Sequence, residues 1–140
     1  MCGIVGAISD KNVIPTLLDG LQRLEYRGYD SAGLAIREAS GGLKRFRSLG
    51  KVSVLKDLIE RSAVHGTLGI AHTRWATHGK PAERNAHPHM SGVRVAVVHN
   101  GIIENHNKWR DQLLAAGFSF TSETDTEVVA HLLAHKLEAG

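Results

Sequence analysis

Cys2-Gly-Ile-Val-Gly-Ala-Ile8 is an unbroken apolar run that reads as a buried strand, and it opens on the chain's one cysteine. With Met1 removed, Cys2 becomes the N-terminus. Its α-amine, with an ordinary pKa of about 7.7–8.0, is partly unprotonated at neutral pH and can take the proton of the adjacent thiol. One residue then supplies both the attacking atom and its general base. The competing reading makes Cys2 a small buried hydrophobe. The strand behind it favours the nucleophile, because a reactive group on a rigid element is held more firmly than one on a frayed tail.

Outward from that strand the patterning is α+β. Val13, Ile14, Leu17, Leu18, Leu21 and Leu24 recur at helical spacing, with Pro15 in the first turn, where its missing N–H costs little. Ala32, Leu34 and Ile36 alternate, Gly41-Gly42 offers a turn, and Leu43 to Leu49 resumes as a strand, which predicts a hairpin. Val52, Leu55, Leu58 and Ile59 predict a second helix. A strand is expected over Leu68 to Thr73, then a long polar loop to His89, then a β-branched strand over Val93 to His99. A third helix is expected over Asn107 to Ala116, ended by Gly117. The last starts at Thr124, whose spacing to Glu127 makes a capping box, and carries Val128, Val129, Leu132, Leu133 and Leu137.

At 140 residues and 42% hydrophobic, the chain is one domain's worth with enough apolar material for a core. No apolar run approaches the roughly 20 residues of a membrane span, and the N-terminus lacks the pattern of a secretory signal. A cytoplasmic location is expected, where a lone thiol stays reduced. The net charge of +3 is modest. Its local cluster, Lys44, Arg45 and Arg47, reads as a solvated strand face, so neither nucleic acid nor a membrane is expected as a partner.

Polar chemistry gathers at the strand ends. In His72-Thr-Arg-Trp-Ala-Thr-His-Gly79 a strand runs out into a loop, where the Arg74 guanidinium can grip a carboxylate with two parallel hydrogen bonds. A surface arginine beside a structural tryptophan is the alternative. Asn100-Gly101 breaks a buried strand and offers a side-chain amide and a backbone N–H to a developing oxyanion, or else forms an ordinary hairpin turn. Asp125, at the start of the last helix, is a fixed anion able to hold an ammonium, or simply a second helix-start acid. The histidines His72, His78, His87 and His89 show no recognisable pair of metal-ligand motifs, and Gly3 and Gly6 match no phosphate-binding fingerprint. Neither metal nor cofactor is expected.

Taken together, Cys2-Gly-Ile-Val-Gly6, Leu24-Glu-Tyr-Arg-Gly-Tyr-Asp-Ser-Ala-Gly33, Gly69-Ile-Ala-His-Thr-Arg-Trp-Ala-Thr-His-Gly79, Asn85-Ala-His-Pro-His89, Val98-His-Asn-Gly-Ile-Ile-Glu-Asn105 and Ser122-Glu-Thr-Asp-Thr-Glu127 carry a resemblance. Across essentially its whole length the chain resembles the class II glutamine amidotransferases, in the form of the glutaminase domain of the glucosamine-6-phosphate synthases. The Glu-Tyr-Arg-Gly-Tyr and His-Thr-Arg-Trp-Ala-Thr-His forms are similar to that branch in particular.

The resemblance implies an α+β fold, the αββα sandwich of N-terminal nucleophile hydrolases, that hydrolyses the glutamine side-chain amide and passes ammonia onward. It implies Cys2 as nucleophile, its amine as base, and Asn100 with the Gly101 N–H as oxyanion hole. Arg74, aided by Thr77, would hold the glutamine α-carboxylate and Asp125 its α-ammonium, with His78 and His87 as pocket residues of second rank. Family members continue with further strands and then two sugar isomerase domains that bind fructose 6-phosphate. Residues 1–140 are therefore expected to be one glutaminase domain, truncated at its C-terminal side, with the isomerase domains that accept the ammonia absent. A homo-oligomer is compatible with the sequence. Two rivals stay open: an N-terminal nucleophile amidase for another substrate, and a non-catalytic glutamine-binding fragment.

Overall fold

The computed structural model describes residues 2–76 and 79–140. The first strand, β1 (Gly3–Ile8), sends Gly3, Val5 and Ala7 toward a helical layer and Ile4 and Ile8 to the other side, as a period of two requires. It is followed by α1 (Ile14–Leu24), whose N-cap is Val13 and whose Leu17 and Leu21 are wholly buried. A single 3-10 turn at Glu25–Arg27 leads to the hairpin β2 (Ser31–Arg37) and β3 (Leu43–Leu49), which turns over Ala39 and Ser40, just before the expected glycine pair, with Gly41 at φ +92° closing it. Then come α2 (Val52–Ser62) and β4 (Leu68–Arg74). Glu25 Oε1 accepts the Val52 N–H at 2.7 Å, satisfying a free donor at the start of α2.

These four strands form one antiparallel sheet in the order β1-β4-β2-β3. Gly3 pairs with Thr73 and Ser31 with Arg74, so the Cys2 end of β1 lies beside the end of β4. Helices α1 and α2 cover one face and bury Leu34, Ile36, Phe46 and Ala71. The other face meets a second layer built from β5 (His89–Ser91) and β6 (Val95–Val97), onto which α4 (Thr126–Glu138) packs, with α3 (His106–Ala115) against α4. The layers run α, β, β, α, as the expected sandwich does.

Three expectations are corrected. The β-branched run forms a strand only over Val95–Val97, because Gly92, Val93 and Arg94 make the turn from β5. The last helix begins at Thr126 rather than Thr124, and no capping box forms. Glu127 instead turns back to accept the N–H groups of Thr121 and Ser122, each at 2.8 Å, while the Thr124 hydroxyl meets His89 Nε2 at 2.8 Å. Nor are Arg45 and Arg47 a solvated face. They lie between the layers, donating to the carbonyls of Pro88 at 3.3 Å and Ala86 at 3.3 Å and so fastening the segment before β5 to β3.

Candidate active site

Cys2 sits where β1 meets the end of β4, and its thiol is bracketed by the backbone of one residue. The Trp75 N–H donates to Sγ at 3.1 Å, and the Trp75 carbonyl lies 3.5 Å from Sγ. One residue further, the Gly3 N–H donates to Thr73 Oγ1 at 3.1 Å, fixing the start of the strand that carries Cys2.

The second layer supplies the facing groups. Asn100 follows β6, and its Nδ2 donates to the Cys2 carbonyl at 3.1 Å while its Oδ1 lies 2.8 Å from His72 Nε2. Gly101 has φ +139°, a backbone conformation that side chains rarely adopt, so only glycine presents its N–H here without strain. Asn100-Gly101 is thus no hairpin turn; the chain runs on to α3.

Arg74 ends β4 and is 3% exposed. Its guanidinium donates to the carbonyls of Gly79 at 3.1 Å and Lys80 at 3.3 Å, with Asp30 Oδ1 4.0 Å away. Burial lowers its pKa and the Asp30 charge opposes that, leaving a cation held by carbonyls and one carboxylate. Asp30 also accepts the Ala76 N–H at 2.6 Å, pinning the segment that leaves β4. Asp125, the N-cap of α4, accepts the Ile103 N–H at 2.7 Å and so ties the Asn100-Gly101 segment to the helix.

Cys2, Arg74, Trp75, Gly101, Thr124 and Asp125 converge on a cavity of about 40 Å³. It is a small space, and the groups around it set its chemistry. Trp75, which also lines it, is 54% exposed. A much larger cleft of about 550 Å³ lies between α1 and α2, but it brings together no nucleophile and oxyanion donor. Chemistry, not volume, decides between them.

Behind the cavity three histidine rings pack in a column. His72 and His87 stack with centroids 4.0 Å apart and planes 14° apart, and His89 meets His87 edge-on at 4.7 Å. Burial holds His72 at about 4 and His89 at about 3, below the ordinary 6.5, and pushes His87 lower still. All three rings are neutral at physiological pH.

A model of the glutamine amidotransferase domain family matches residues 72–140. Glutamine–fructose-6-phosphate aminotransferase (isomerizing) from Pseudomonas aeruginosa is 60% identical over 139 residues, which are 99% of this chain and 23% of that protein. The protein of the same name from Escherichia coli (strain K12) is 60% identical over 140 residues, 100% of this chain and 23% of its own length. This chain carries a glutamine amidotransferase domain.

The amidotransferase fold agrees. The glutamine phosphoribosylpyrophosphate amidotransferase from B. subtilis, solved with ADP and GMP, superposes with a TM-score of 0.77 at 28% identity, covering 96% of this chain and 29% of that one. The fold is that of N-terminal nucleophile amidotransferases. This amidotransferase chain spans about a quarter of the length of the curated relatives it matches. No described helix is long and apolar enough to cross a membrane.

Of the residues singled out from sequence, Cys2, Arg74, His87, Gly101 and Asp125 line one cavity, with Asn100 bonded to Cys2 beside it. Thr77 and His78 lie outside the described residues. Sequence reasoning passed over Trp75 and His99 as cavity walls, and it treated His72 only as a metal-ligand candidate. Period-two alternation along β4 carried the missed signal, since it puts His72 on the same face as Arg74.

Proposed function

We propose that this chain hydrolyses the side-chain amide of glutamine through a thioester on Cys2 and releases ammonia for transfer to an acceptor. The observation that carries the reading is convergence: a thiol, an amide donor and a special-conformation N–H, a buried cation and a buried anion meet around one cavity. A zwitterionic amino-acid head needs one fixed charge of each sign, and Arg74 and Asp125 provide them. Thr77 would assist Arg74, and His78 and His87 would wall the pocket.

The Cys2 α-amine, freed by loss of Met1, takes the thiol proton. Sγ attacks the amide carbon, and the carbonyl oxygen gains negative charge that Asn100 Nδ2 and the Gly101 N–H receive. Collapse breaks the C–N bond. The Cys2 α-ammonium gives its proton to the departing NH2 group, which leaves as ammonia. Water then attacks the γ-glutamyl thioester, its proton passing through the Cys2 α-amine to the departing thiolate, which frees glutamate and restores the thiol. The names of the curated relatives point to fructose 6-phosphate as acceptor. Sugar isomerase domains binding it would lie in the length of those relatives that this chain does not match.

Mass spectrometry and ammonia release test the reading together. Chain shown to lack Met1 releases ammonia from glutamine far faster than from simple amides and takes up one equivalent of a thiol-directed glutamine analogue at Cys2. Cys2→Ala and a form with a residue retained before Cys2 do neither. Full activity in chain proven to keep Met1 rules out the amine as base, and equal turnover of simple amides points to the other amidase.

A further inference from the structure

We propose that His72 is the positioning residue for the oxyanion donor, locking the Asn100 carboxamide with its NH2 turned toward the nucleophile. This rests on the reading that Cys2 attacks an amide and that Asn100 receives the charge.

The argument starts from an atom that can only accept. The Cys2 carbonyl lies 3.1 Å from the Asn100 amide, so the end of that amide facing it must be Nδ2. The other end, Oδ1, then faces His72 Nε2 at 2.8 Å, and since Oδ1 also only accepts, His72 must donate. This fixes the neutral Nε2–H tautomer. The same tautomer explains a second fact: His72 Nδ1 is buried with no hydrogen-bond partner among the described residues. Carrying no proton, it is a buried lone pair rather than a buried N–H. In the other tautomer it would be a buried donor without an acceptor, and two acceptors would face each other across 2.8 Å.

Nothing lets the ring swing away. His72 is 1% exposed, its face lies on His87, and His89, edge-on to His87, is tied to the Thr124 hydroxyl next to Asp125. Burial keeps the ring neutral without weakening its donor. With Nε2 committed to Asn100 and Nδ1 in the stack, His72 has no nitrogen for the Cys2 thiol. It acts through Asn100, not on the substrate. One Nδ2 hydrogen goes to the Cys2 carbonyl, and the second is left for the oxyanion.

Glutamine hydrolysis is measured for His72→Phe, His72→Gln, Asn100→Ala and the His72→Phe/Asn100→Ala pair. His72→Phe lowers kcat by tenfold or more, up to the 100- to 1,000-fold that loss of one oxyanion donor costs, with KM within about twofold. His72→Gln, whose amide can place a donor near the former Nε2, recovers most of that loss. In the Asn100→Ala background His72→Phe costs no more than about twofold further. Losses that multiply in the pair overturn the proposal, because His72 would then act independently of Asn100. Should His72→Phe fail to fold, nitrogen NMR of the wild-type ring decides: the Nε2–H tautomer at neutral pH is required, and Nδ1–H overturns it. A wild-type chain that hydrolyses no glutamine removes the glutaminase reading and this role with it. An active wild type with the wrong tautomer or multiplying losses removes this role alone.

Discussion

Replacing Gly33 with alanine tests how closely the two layers are fitted behind the site. Gly33 lies on the inter-layer face of β2, and a Cβ added there would stand 2.0 Å from the His87 carbonyl oxygen and 3.0 Å from that of Phe46. Ordinary contact begins near 3.4 Å, so the backbone at His87 must retreat by about 1.4 Å. Neither obstacle is the tip of a flexible side chain. Retreat is resisted by Arg47, which holds the Ala86 carbonyl at 3.3 Å, and by the stack of His87 on His72. The cost belongs at or above the top of the ~1–3 kcal/mol range for overpacking. At about 4 °C per kcal/mol for a domain of this size, Tm falls by roughly 10 °C. A shift near 1 Å at His87 travels through His72 to Asn100, and a misplacement of about 1 Å can lower turnover on the order of 100-fold. Gly6→Ala is the control, since its added Cβ meets no heavy atom within 4 Å. It is neutral or stabilising by up to about 1 kcal/mol. Circular dichroism melts paired with glutaminase assays give the answer. Gly33→Ala melting within about 2 °C of the control, with wild-type turnover, refutes the close fit.

Arg74→Lys keeps the charge but loses the planar fork that now spans the Gly79 and Lys80 carbonyls, so KM for glutamine rises at least about tenfold; an unchanged KM removes the carboxylate role. Stability also depends on pH through the histidine column. His72 and His89 have folded pKa values of about 4 and 3 against 6.5, so below pH 6.5 the unfolded chain binds protons that the folded chain refuses. Their contribution is whole above pH 6.5 and shrinks as pH falls, by about 1.4 kcal/mol per unit per histidine until His72 itself protonates. Urea midpoints at pH 7, 6 and 5 should fall in that order, and a level series contradicts buried neutral rings.

The first sheet and its helices were legible because each carries a clean period: α1 repeats its leucines at helical spacing, and β2 alternates between the helical core and the second layer. In the second layer β6 was foreseen as a longer strand, and β5 was not. β5 has three residues, His89 to Ser91, too few to show a period, and its two buried ones are polar because each bonds a polar partner, His89 the Thr124 hydroxyl and Ser91 His131. Arg45 and Arg47 misled for a related reason, since long side chains between sheets carry their charge to backbone carbonyls, which composition cannot reveal. Cys2, Arg74, Asn100 and Asp125 were readable as candidates because each ends or begins an element. His72 was not, because its partner is 28 residues away and comes from another layer.

The bond between Asn100 and the Cys2 carbonyl joins residues 98 positions apart. On the proposed mechanism, translation therefore makes the nucleophile first and its oxyanion donor late. Until Asn100 and then Asp125 have left the ribosome and the second layer has docked, the groups proposed to act with Cys2 are not around it. On that reading reactivity arrives with the closing of the fold, and a partly made chain is expected to spend no glutamine.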